Sequence, residues 1–159
     1  MNIKKFIKKN LLIELLISMC VILFVYAAIS KFLGFENFLA QIGQSPVLSS
    51  FTYWVAWIVP ISEVIVAILL ITPNYRLFGL LSFYSIMVMF TTYIVIILNF
   101  SDFVPCSCGG ILESLGWKQH LIMNISFCLL ALYLLFQMTN TTSKNFDDQQ
   151  KLIKHIKES

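Results

Sequence analysis

Charged side chains are scarce in this sequence. Only 12% of its 159 residues are Asp, Glu, Lys or Arg, against roughly 25% in an average soluble domain, and 58% are hydrophobic. That shortage excludes a soluble globular chain, and the mean hydropathy of +0.84 points to an integral membrane protein. No internal repeat stands out, no polar stretch is long enough for a soluble catalytic domain, and no nucleic-acid partner is expected. Histidine occurs twice and cysteine four times, so metal or thiol chemistry has few residues to draw on.

Apolar runs are what the chain has in quantity. Four of them, at about 11–33, 51–72, 77–100 and 119–138, approach the ~20 residues a helix needs to cross about 30 Å of hydrocarbon. The expected fold is an all-α membrane protein, a four-helix transmembrane bundle over 1–138 with a polar tail at 139–159. Its solvent and first partner is the lipid bilayer.

Lys and Arg close to membrane spans are retained on the cytoplasmic side, so their distribution predicts orientation. Lys4, Lys5, Lys8 and Lys9 precede the first span, Arg76 lies between the second and third, and Lys144, Lys151, Lys154 and Lys157 follow the fourth. Nine of the eleven basic residues therefore share one side, which predicts that both termini are cytoplasmic. Only Lys31, at a helix end where it can snorkel, and Lys118 fall on the other side. Tyr53, Trp54, Trp57 and Trp117 gather near the expected outer interface, as aromatic belts do. The location expected is the bacterial inner membrane, with the loop before the fourth span periplasmic or extracellular. The first apolar run is too long for the core of a secretory leader. Met19 also stands where a lipoprotein leader ending at Cys20 needs a small residue, so cleavage is not expected.

Between the first two spans Phe35, Phe38, Leu39 and Ile42 recur at helical spacing, which predicts a short helix lying at the outer surface. Ser45 and Pro46 then turn the chain back. Pro60 has no N–H for the carbonyl of Ala56, so a kink is expected in the second span. The short TPNYR turn makes the second and third spans antiparallel neighbours. Gly79, Ser82 and Ser85 form a stripe of small residues suited to close helix contact. Past Met138 the composition TNTTSKNFDDQQ predicts a mobile linker, and KLIKHIKES reads as a solvated tail in preference to the alternative, a short basic helix on the inner leaflet.

Two of the four cysteines, Cys106 and Cys108, stand one residue apart in VPCSCGG. An extracytoplasmic position is oxidising, so the pair is expected as a disulfide or an exchanging pair rather than as permanent thiols. A Cys-x-Cys bond closes a very small ring and strains the backbone, which makes it easier to reduce than a long-loop disulfide. It also stabilises little, because the loop it closes in the unfolded chain is tiny. Gly109 and Gly110 supply the backbone freedom such a segment requires. Copper or zinc is the rival, with His120 as a third soft ligand, but a fourth is missing and Met123 lies further into the helix, so no metal is assigned. Exchange is preferred to an inert disulfide, and both to a metal.

His120 opens the fourth span on the side of the cysteines, where an imidazolium would favour the attacking thiolate. Asn124 follows one turn on. The competing reading has the two satisfying each other or nearby backbone at an interface. Glu63 lies deep in the second span, where an ionised carboxylate costs at least about 2.5 kcal/mol, so it should face the bundle interior with a partner. Lys31 is the expected partner, although their depths differ by about 10 Å at the helical rise. Glu63 either relays a proton to or from a quinone or thiol, or holds a structural pair. Lys31, Glu63 and Asn124 are the candidates for lining a cofactor cavity, with quinone the cofactor considered. Cys20 and Cys128 read as small apolar fillers, and Glu14, near the inner interface, needs no function.

The stretches FVYAAISKFLGFENFLAQIGQSPVL, VPISEVIVAILLI and PCSCGGILESLGWKQHLIMN resemble, in order, the DoxX-like group and especially its MauE branch of redox-associated membrane proteins. The likeness covers about 26–132. Lys-Phe followed by Phe-x-x-Phe, Pro-x-x-Glu, and Cys-x-Cys-Gly before a fourth helix carry it together. It implies a four-helix inner-membrane protein that supports disulfide chemistry in exported proteins, with Lys31, Glu63, Cys106 and Cys108 as the positions that match. Gly110 departs from the aromatic residue common at that place in the family. By analogy the arrangement is also similar to quinone reductases of the DsbB and vitamin K epoxide reductase type, but this chain lacks their second outer cysteine pair.

The function expected is thus a membrane thiol–disulfide redox protein or its accessory subunit, with Cys106, Cys108, His120 and Glu63 as the working residues and an extracytoplasmic thiol-containing protein as partner. A non-enzymatic scaffold with a structural disulfide and a copper-handling subunit are the alternatives.

Overall fold

The computed structural model describes residues 3–45, 48–100 and 116–158. Among them five α-helices follow in order, α1 (Ile3–Leu33), α2 (Phe35–Gly43), α3 (Thr52–Ile71), α4 (Arg76–Phe100) and α5 (Trp117–Glu158), and no strand is present. Four helical stretches, Leu11–Leu33, Ser49–Ile71, Pro73–Asn99 and Lys118–Asn140, are long and apolar enough to cross a membrane. They coincide with the expected spans to within a few residues. α1 packs on α3, α3 on α4, α4 on α5, and α5 returns to α1, so the four long helices close into a bundle.

These helices are apolar nearly all round, as a chain in lipid requires. Large side chains such as Leu11, Ile22, Phe78, Leu129 and Phe136 point outward. The inside is built from a smaller set. Ile17, Cys20 and Phe24 of α1 meet Val66, Ala67 and Leu70 of α3, Leu80, Phe83 and Met87 of α4, and Ala131 and Leu134 of α5. The Phe24 and Phe83 rings, with centroids 4.3 Å apart, close the top of this core. Cys20 is fully buried within it and is a free thiol, as is Cys128. Both fit the filler role.

Helix contact is closest at Gly79. A β-carbon there would lie 2.9 Å from the Leu70 nitrogen and 3.0 Å from the Leu69 carbonyl carbon, so the α3 and α4 backbones touch where no side chain fits. The small-residue stripe works at this position only in part, because Ser85 is exposed and donates to the Leu81 carbonyl at 2.9 Å. Gly79→Leu is expected to cost about 1–3 kcal/mol by forcing α3 and α4 apart. It should lower the Tm of the detergent-solubilised protein, and an unchanged Tm would contradict the contact.

α3 remains one helix across Pro60, which is buried. At the α3–α4 turn, Arg76 donates through Nη1 to Glu14 Oε1 at 2.6 Å and through Nε to the Leu70 carbonyl at 3.3 Å. The pair ties the first half of α1 to this turn, but Glu14 is largely exposed, so it contributes little.

α2 forms where the apolar spacing placed it. Phe38 and Ile42 are buried against Ala56, with Val55 and Val59 of α3 packed alongside. Covering the α3 N-terminal half removes apolar surface of both helices from their surroundings. One expectation is corrected, the mobile linker past Met138. α5 continues without a break to Glu158. No Gly or Pro occurs between Trp117 and Glu158, so nothing terminates a helix already nucleated in the membrane, and polar composition alone does not stop it. At 42 residues α5 is about 63 Å long, roughly twice the hydrocarbon thickness.

Candidate functional site

The core fills one half of the bundle, and the other half is hollow. Beyond Phe24 and Met87 lies a cavity of about 410 Å³, lined by residues of all four long helices and of α2. The C-terminal parts of α1 and α4 and the N-terminal parts of α3 and α5 meet there, with α2 along one side. Most of the wall is apolar, including Leu23, Ala27, Phe38, Ile58, Phe90 and Met123.

Into this wall are set Lys31, Glu63, His120 and Asn124, four of the residues that sequence reasoning singled out. Glu63 projects from the middle of α3 and is completely buried. Lys31, on the last turn of α1, donates from Nζ to Glu63 Oε1 at 2.7 Å, and its side chain is 15% exposed. The expected 10 Å mismatch in depth is closed because the Lys stem turns inward along the cavity instead of snorkelling outward. Its ammonium also lies 3.4 Å from the Ala27 carbonyl, and 5.8 and 5.7 Å from the ring centroids of Phe38 and Phe90. Two aromatic faces and a carboxylate thus replace the water that a membrane denies to an ammonium group.

The other Glu63 oxygen is different. Oε2 is buried and has no hydrogen-bond partner among the described residues. A carboxylate that served only to neutralise Lys31 would ordinarily have its remaining lone pairs satisfied as well. His120 is half-buried one turn into α5, its N–H donating to the Gly116 carbonyl at 3.1 Å, and Asn124 is buried one turn further on the same face. That spacing of four puts both on one stripe of α5, aimed at the cavity.

Cys106 and Cys108 lie outside the described residues. The segment that carries them joins the end of α4 to the start of α5, two of the helix ends that form the hollow half. Among the described residues no cluster of His, Cys, Asp and Glu has the make-up of a metal site.

Sequence reasoning missed Ser30, Gln41 and Tyr93, which also line the cavity. Gln41 lies three residues beyond Phe38, one turn along α2, and Tyr93 three beyond Phe90 on α4. Those spacings were available in the sequence, but nothing in it shows that α2 folds back over α3.

The family model described as methylamine utilisation protein MauE matches residues 8–137. That interval holds the first three spans, all but the last three residues of the fourth, α2, every polar residue of the cavity and the Cys-x-Cys segment. No curated protein and no solved structure matches the chain. The bundle and its match along most of its length therefore make this chain a member of the MauE family, multi-pass membrane proteins tied to redox chemistry or cofactor maturation.

Proposed function

We propose that this chain is a thiol–disulfide redox protein of the bacterial inner membrane, in which Cys106 and Cys108 exchange disulfides with exported thiol-containing proteins. The observation that carries the proposal is the convergence of Lys31, Glu63, His120 and Asn124 on one cavity, in the half of the bundle where the cysteine-bearing segment joins α4 to α5. Buried polar residues in a membrane span are costly and mark working sites. The excess of basic residues at the opposite end supports an orientation with 101–115 outside and both termini, including the polar segment after 138, in the cytoplasm.

In the exchange, a thiolate of the partner attacks the Cys106–Cys108 disulfide. A mixed disulfide forms and one cysteine of the pair leaves as thiolate. A second partner thiolate then displaces the remaining bond, leaving a disulfide in the partner and two reduced cysteines in the pair. Two electrons have passed to the pair, and the reverse sequence reduces a partner disulfide. His120 and Lys31 place positive or polarisable groups on this side of the bundle, where a leaving thiolate develops charge.

Mass-tagging of free thiols in membrane vesicles tests this. Cys106 and Cys108 should pass between tagged and untagged states when exported dithiol protein is added, while Cys20 and Cys128 tag only after denaturation. A pair that stays locked while partner disulfides still form would assign the cysteines a structural role.

A further inference from the structure

The cavity in this half of the bundle combines an apolar wall with a buried carboxylate oxygen that has no partner among the described residues. From this combination we infer that the cavity is a binding site for the head of a membrane quinone or its quinol, with Glu63 Oε2 as acceptor for a quinol hydroxyl. The inference rests on the thiol–disulfide role proposed above for its redox partner, though not for the binding itself.

Three observations carry it. The cavity, at about 410 Å³, lies within the range of pockets that enclose a small-molecule head group. Its wall is mostly aliphatic, aromatic and thioether, which favours a planar apolar ring over a sugar, phosphate or ion. Its polar groups are few and of both kinds. Glu63 Oε2 is an acceptor with no protein partner among the described residues, and Asn124 and His120 add donor capacity from the opposite wall. A quinone offers two carbonyl acceptors, and a quinol offers two hydroxyl donors. A fatty-acid carboxylate fits poorly, because it would bring a second negative charge to Glu63 while the Lys31 ammonium is already paired at 2.7 Å.

Such an occupant completes the electron balance of the exchange. Reduced Cys106 and Cys108 give up two electrons and two protons and form one S–S bond. The quinone takes up both electrons and both protons, its two carbonyls becoming hydroxyls. Glu63 is a positioning residue in this step, holding one hydroxyl of the quinol and offering a site for its proton in transit.

The test is equilibrium binding of decylubiquinone and of a short-chain menaquinone to the purified full chain in nanodiscs, followed by quenching of tryptophan fluorescence. Saturable binding of at least one of them at one site per chain is expected. Glu63→Gln should weaken it about tenfold, and Ala27→Phe, which fills the cavity and leaves the Lys31–Glu63 pair, should abolish it. A chain with both Cys106→Ser and Cys108→Ser should bind as the unaltered protein does. Absence of saturable binding of both probes, or binding by the Glu63→Gln and Ala27→Phe chains equal to that of the unaltered protein, overturns the inference. If neither probe binds but thiol exchange proceeds, the quinone site fails and the exchange role stands. If a probe binds but the double serine chain still forms partner disulfides, the exchange role fails and the site stands.

Discussion

Replacing Lys31 with Met should destabilise the protein by about 3–5 kcal/mol, the usual cost of stranding one member of a buried ion pair. The methionine keeps most of the length and apolar stem of lysine, so the effect isolates the charge. Glu63 is fully buried, and Lys31 is its hydrogen-bond partner at 2.7 Å, so without the ammonium the carboxylate stays in the membrane interior with neither oxygen satisfied by that contact. Removing both charges is a different matter. Lys31→Met combined with Glu63→Leu should recover most of the loss, because two apolar side chains need no desolvation to be compensated. Unfolding of the solubilised protein, followed for both single variants and the double variant, checks this. A double variant as unstable as Lys31→Met alone would mean that the instability comes from packing and not from the unpaired charge.

The second large effect concerns activity. Cys106→Ser and Cys108→Ser are each expected to reduce partner disulfide formation by roughly a thousandfold, and the two together by about the same factor, since residues acting as one unit are not additive. The two single variants should differ in what accumulates. In the direction that reduces a partner disulfide, where one cysteine of the pair attacks and the other resolves, removing the resolving cysteine leaves the mixed disulfide in place, whereas removing the attacking one leaves no adduct. Stability should change little in either, because a ring closed by one intervening residue restricts the unfolded chain very slightly. This separates the exchange role from a structural disulfide, for which partner disulfide formation would persist in both serine variants.

The sequence showed the parts of this architecture that have a high energetic cost. Membrane-length apolar runs are unambiguous, because lipid leaves the backbone no alternative to helix, and all four spans appear where expected. Glu63 demanded a partner for the same reason, and Lys31 supplies it. Features with a low cost were harder to see. Because the spans are apolar nearly all round, their pattern does not tell lipid-facing from cavity-facing positions, and Gln41 and Tyr93 were not distinguished from ordinary surface residues. The Gly79 stripe showed where helices approach, yet Ser85 faces away, since a serine that bonds its own helix needs no neighbour. The extension of α5 past Asn140 was misjudged from composition, which describes what a segment lacks in apolar contacts but not the helix that it inherits from the span before it.

The central claim, that Cys106 and Cys108 pass disulfides to or from exported proteins, is tested most directly by trapping. Membranes carrying Cys106→Ser or Cys108→Ser are alkylated in acid and run without reductant. One of the two variants should show a higher-mass adduct that disappears on reduction and contains an exported cysteine protein joined to the remaining cysteine. No adduct in either variant, with partner disulfides forming at the normal rate in both, would contradict the account.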